Sequence, residues 1–150
     1  MRILFLGDIV GPSGCNVVKR FLPDIIKKRD LDFVVANGEN AADSGLGITE
    51  KISKELFNCG IDVLTTGNHV WDQKETAEHI EKEKKLLRPY NLTSPSPGKG
   101  FEIFSSKNNF KIGVLNLMGN VFMKKCDDVF IKIEKFLNDY DLKKNYDFLV

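Results

Sequence analysis

Short apolar runs alternate with segments of helical periodicity through the first half of the chain. Ile3, Leu4, Phe5 and Leu6 form the first run, Phe33, Val34 and Val35 the second, and Val63 and Leu64 the third. Runs this short, rich in β-branched and aromatic residues, predict strands over residues 2–7, 32–36 and 61–65. Between the first two, Val17, Val18, Phe21, Leu22, Ile25 and Ile26 recur at helical spacing, with Lys19, Lys27 and Lys28 on the other face. That pattern predicts a helix, kinked or restarted at Pro23. Thr49 is a suitable cap for a second helix carrying Ile52, Leu56 and Phe57 and stopped by Gly60. Asp72 opens a third, polar helix that ends near the lysines of residues 81–85.

Strands alternating with helices make a parallel sheet with right-handed crossovers. The pattern changes after residue 90. Residues 90–100 are rich in Pro, Ser and Gly and read as a loop. Phe101–Ser105 and residues 111–117 look like an antiparallel pair joined through Lys107, Asn108 and Asn109. Asp127 or Asp128 caps a helix using Phe130, Ile133, Phe136 and Leu137, and residues 146–150 read as a last buried strand.

Composition narrows the class without naming the chemistry. At 150 residues, 42% hydrophobic and 29% charged, with a net charge of +1, the chain fits one domain with a sizeable core. Near-neutrality gives no electrostatic footprint for DNA. No apolar run is long enough to span a bilayer. Cys15, Cys59 and Cys126 are odd in number and lack CxxC spacing, which suits idle thiols in a reducing cytoplasm better than disulfides or zinc.

The chemistry sits directly after the three strands. Asp8 follows the first, Glu39 and Asn40 the second, and Asn68 and His69 the third. The crevice at the carboxyl ends of parallel strands is where open α/β sheets place their ligands. Two carboxylates, amide oxygens and an imidazole at one edge form a donor set for hard divalent cations. For Asp8 alone, capping of the next helix is an equally good reading. A lone Glu-Asn pair is more often a polar turn, and a lone histidine more often a satisfied core residue. The convergence of three strand ends outweighs these separate readings. The Gly7–Gly14 turn does not have GxGxxG spacing, and Asp8 within it would repel a pyrophosphate.

Other features carry less. His79 lies on a highly charged helix and is expected to be solvated. Trp71 and Phe122 could line a base-stacking pocket, although buried packing is the better expectation for each. The run of lysines at residues 82–85 reads as an exposed helix end.

Taken together, Gly7-Asp8, Gly38-Glu39-Asn40 and Gly67-Asn68-His69 resemble the first three blocks of the calcineurin-like metallophosphoesterase superfamily. More narrowly, the chain resembles its bacterial branch, the YmdB-like phosphodiesterases. Residues 2–11, 37–42 and 45–51 carry the likeness, as do Gly67-Asn68-His69-Val70-Trp71-Asp72, Arg88-Pro89 with Asn91, and residues 93–100 and 115–122. The resemblance implies a four-layer α/β/β/α sandwich and a site for two divalent metal ions, iron or manganese. It implies hydrolysis of cyclic nucleotides, 2′,3′-cyclic and 3′,5′-cyclic, including RNA-derived 2′,3′-cyclic phosphates. By motif position Asp8, Glu39 and Asn40 would bind the first metal, with Glu39 bridging. Asn68 would bind the second and His69 would donate the proton.

The chain departs from that pattern in two places. The family's later blocks supply three more histidines, whereas this sequence has two in all, His69 and His79. Residues 1–150 are therefore expected to be the N-terminal part of a metallophosphoesterase domain, truncated at its C-terminus and weak or inactive alone. Asn120 stands where an arginine is expected. The alternative is a non-catalytic interaction module, forming a homo-oligomer or pairing through the edge strand at residues 146–150.

Overall fold

Neighbouring residues of strand β2 (Phe33–Asn40) face opposite ways, and both faces are apolar. Val34 and Ala36 point into one core, Phe33 and Val35 into another. A strand buried on both sides must lie in an inner layer. The computed structural model, which describes residues 1–123 and 126–150, has this layered form.

The first sheet is wholly parallel, in the order β1 (Ile3–Val10), β2, β3 (Val63–Thr65) and β4 (Leu86–Leu87). Helices α1 (Gly11–Arg29), α2 (Glu50–Asn58) and α3 (Thr76–Lys82) connect its strands. Leu22 and Ile26 of α1, Leu56 of α2 and Ile80 of α3 share one core with Leu4, Leu6, Val34 and Leu64. The opposite face packs on the second sheet, where Phe33, Val35, Val63 and Leu87 meet Ile112 and Val114. That sheet is the antiparallel pair β5 (Phe101–Ser105) and β6 (Lys111–Leu115), with β7 (Phe148–Leu149) parallel to β6.

Helix α4 (Val129–Asp139) covers the outside. Its buried Phe136 meets Phe101 edge-on at 4.7 Å and stacks with Tyr140 at 4.8 Å. Tyr146 lies beside Phe101, and a side chain at Gly113 would press on both. Helices, sheet, sheet and helix thus make the four layers expected, and no helix is long and apolar enough to cross a membrane among the described residues.

Several local expectations need correction. α1 does not restart at Pro23 but runs from Gly11 to Arg29 with that proline inside it, and Leu22 and Ile26 on either side pack in the core. Asp72 does not open α3, which starts at Thr76. Residues 66–75 form successive turns instead, with Val70 N donating to Gly67 O, Asp72 N to His69 O and Thr76 N to Gln73 O. β4 is only two residues long, too short to leave a periodic signal. β6 and β7 are shorter than expected, ending at Leu115 and covering only Phe148–Leu149. Of the two candidate caps for α4, Asp128 accepts from Phe130 N and Ile131 N. Thr49 caps α2 as its sequence suggests, accepting from Ile52 N at 3.2 Å.

Candidate functional site

β1 and β2 run past their apolar stretches, so Asp8, Glu39 and Asn40 lie within extended backbone and not in the turns after it. Asp8 pairs with Asn37 and Val10 with Asn40, and the register shifts on either side of Asp8. Such irregularities re-aim side chains near active sites. Here one brings Asp8 and Asn40 together. Asn40 Nδ2 donates to both Asp8 carboxylate oxygens, at 3.1 and 3.0 Å.

Asn40 Oδ1 is buried and has no hydrogen-bond partner among the described residues. A buried orphan acceptor costs free energy on the order of 1–3 kcal/mol, and one beside a carboxylate has the chemistry of a cation ligand.

Glu39 is the next donor. Burial pushes its carboxyl above the usual carboxylate range, and the neighbouring Asp8 carboxylate adds to this. The Asn37 side chain and the nearby His69 act in the opposite direction. Gly67 lies directly against Glu39, and a Cβ there would collide with the carboxylate. The glycine that opens the Gly67-Asn68-His69 block is thus required by close approach. It sets the third strand's turn against the second strand's acid, and Asn68 and His69 follow at once.

His69 Nδ1 is 2.7 Å from Asp72 Oδ2. The contact holds the ring in one orientation and leaves Nε2 as its second functional nitrogen. The loop at residues 44–47 clasps the same turn. Gln73 Nε2 donates to Leu46 O at 2.7 Å and to Ser44 Oγ at 3.3 Å, and Gly47 approaches so closely that a Cβ would press on Gln73 N and His69 O, each 3.2 Å away.

Of the residues singled out from sequence, Asp8, Glu39, Asn40 and His69 are therefore neighbours, whereas Asn68 is exposed and is placed only by its position next to His69 in the chain. Two carboxylates and the Asn40 amide suit a hard divalent cation, and the orphaned Asn40 oxygen fits that use. Hard cations take about six ligands, and among the described residues no group of three His, Cys, Asp or Glu could hold a metal. The donors fit part of a coordination shell.

Sequence reasoning missed Asp72 as the partner of His69, although spacing of three residues across a turn was a usable signal. Three side chains differ from the favoured expectation. His79 is buried, with Nε2 2.8 Å from Ser53 Oγ, because one face of the charged α3 turns inward against α2. Phe122 is not packed away but fully exposed, and Trp71 is 37% exposed. Both line a cleft of about 480 Å³ that also touches Asn68 and His69. Asn120, in place of the expected arginine, braces a loop: its Nδ2 donates to Asp127 O at 3.0 Å and its Oδ1 accepts from Val129 N at 2.9 Å.

The chain is 40% identical over 149 residues to the 2′,3′-cyclic-nucleotide 2′-phosphodiesterase of Bacillus subtilis (strain 168), covering 99% of this chain and 56% of that protein. A hypothetical protein of Thermus thermophilus, known from its crystal structure, superposes with a TM-score of 0.88 at 34% identity, over 99% of this chain and 56% of that one. The crystal structure of a novel phosphatase from Mycoplasma pneumoniae gives a TM-score of 0.81 at 30% identity, over 93% of this chain and 51% of that one. The chain spans about half the length of the curated relatives it matches. The YmdB-like protein family matches residues 4–150, and this chain belongs to it.

Proposed function

We propose that residues 1–150 carry the N-terminal part of a metal-dependent phosphodiesterase acting on cyclic nucleotides, 2′,3′-cyclic, 3′,5′-cyclic or both. The observation that supports this best is the convergence of Asp8, Glu39, Asn40 and His69, with the buried, unpartnered Asn40 Oδ1 among them. In this reading Asp8, Glu39, Asn40 and Asn68 hold two divalent cations, iron or manganese, with donors from beyond this set. Bound cations supply Lewis acidity and a water that ionises near neutral pH. Water would lose one proton to solvent and bond phosphorus through its oxygen, the bond from phosphorus to the ribose oxygen would break, and His69 would give its Nε2 proton to that departing oxygen. Asp72 keeps the imidazole aimed throughout. The setting is cytoplasmic.

Phosphodiesterase assay with added manganese tests this, using 2′,3′-cyclic AMP and a longer version that carries three further histidines. Slow turnover by the chain, fast turnover by the longer version and loss in both on His69→Ala are expected. No turnover by the longer version would reject it.

A second reading, a non-catalytic interaction module, draws on the open sheet edges. β7 ends the second sheet with Leu149 exposed, and β1 ends the first with Phe5 56% exposed. Such edges are templates for strand addition, to a second copy or another polypeptide. A monomer by light scattering at high concentration would count against self-pairing.

A further inference from the structure

We propose that the cleft beside His69 is a nucleobase subsite, taking the flat ring of a nucleotide whose phosphate lies at the Asp8–Glu39–His69 mouth. This assignment names the substrate's organic half and rests on the phosphodiesterase reading above. Asn68, His69, Trp71, Leu92, Met118 and Phe122 line the cleft. The turn that presents the candidate proton donor also presents Trp71, so a ligand seated there touches both. The volume of about 480 Å³ falls within the usual range for small-molecule sites, about 300–1,000 Å³.

Phe122 is the telling residue. Its side chain is completely exposed, and its backbone is left-handed at φ +60°, a conformation that bulky side chains rarely adopt. The loop behind it is braced on both sides. Asn120 bonds Asp127 O and Val129 N, while Asn91 holds Met118 through both its N–H and its carbonyl, at 2.9 and 2.7 Å. An aromatic ring held out into water on a braced loop offers a stacking platform.

Leu92 and Met118 supply an apolar floor, and thioether sulfur adapts well to aromatic rings. A ligand with a flat apolar ring at one end and a phosphate at the other fits this juxtaposition better than a lipid or a peptide does. Stacking accepts any base, so the subsite recognises bases as a class. The base belongs either to a free mononucleotide or to the end of an RNA fragment.

Trp71 is the sole tryptophan, so its emission reports on the cleft directly. The probes are adenosine, the dinucleotide ApA and ribose 5-phosphate, titrated without metal. Saturable quenching by adenosine and ApA but not by ribose 5-phosphate is expected. Phe122→Ala should raise the adenosine dissociation constant by roughly 5- to 150-fold. Val121→Ala, at the exposed neighbouring position, should leave it unchanged. Tighter quenching by ApA than by adenosine assigns the cleft to strand ends, and equal quenching to free nucleotides.

The subsite is overturned if ribose 5-phosphate quenches as well as adenosine, or if Phe122→Ala has no effect. Adenosine lacks phosphate, so the two readings fail separately. Adenosine binding without any phosphodiesterase activity would remove the enzyme and keep the subsite. Hydrolysis of bis-p-nitrophenyl phosphate without adenosine binding would do the reverse.

Discussion

His69 and Asp72 meet through Nδ1 and Oδ2 at 2.7 Å, across a single turn that the sequence pattern assigns to the start of a helix. The pair fixes which way the imidazole faces. Asp72→Asn keeps the shape and removes the charge. Because partners of this kind contribute about 10–100-fold, the variant should lower kcat by that amount with KM little changed. An unaltered kcat for cyclic-nucleotide hydrolysis would make the contact an ordinary surface pair.

Gly67 and Glu39 supply a second test, based on volume. Gly67→Ala drives a methyl group into the Glu39 carboxylate and should cost about 1–3 kcal/mol. A chain of this size loses about 2–4 °C in Tm per kcal/mol. In a Glu39→Ala background the same substitution should cost much less, since the colliding group is gone. Equal losses in both backgrounds, by thermal melts, would show that Gly67 is needed for another reason.

Cation binding follows from the donor count. Calorimetric titration with manganese should show weak binding by the chain. Asp8→Asn, Glu39→Gln and Asn40→Ala should each weaken it by roughly 10-fold or more. Affinity unchanged in all three would mean that the ion is held elsewhere.

Asp62 gives a pH dependence away from the site. It accepts from Val34 N at 2.8 Å, and burial raises its carboxyl above the ordinary range despite that bond and the charges of Lys85 and Lys107. Between its ordinary and its raised pKa the folded chain keeps a proton that the unfolded chain has lost. Stability from this group is therefore full below the ordinary carboxylate value, about 3.9, and falls as pH rises through the folded pKa. Asp62→Asn keeps an acceptor for Val34 N without the buried charge. Its Tm should exceed the parent's at roughly pH 7, and the gap should close towards about pH 3. A gap independent of pH would disprove this assignment.

The parallel strands were legible because burial on two sides leaves continuous apolar runs, as Phe33, Val34, Val35 and Ala36 illustrate, whereas the four layers came only with the family resemblance. The meeting of Asp8 and Asn40 was legible because polar residues follow those runs. What the sequence hid depends on contacts between distant segments. His79 reads as solvated until Ser53 of another helix is placed against it. Phe122 reads as core until Asn91 and Asn120 fix the loop that carries it outward. β4 is legible only through its pairing with β3.

β1 hydrogen-bonds to β2 alone among the described strands, yet it carries Asp8 in its irregular stretch. An extended segment zipped along its free side would stiffen the backbone that aims that carboxylate. Assembly and ion capture would then be thermodynamically linked, each tightening the other by the same factor.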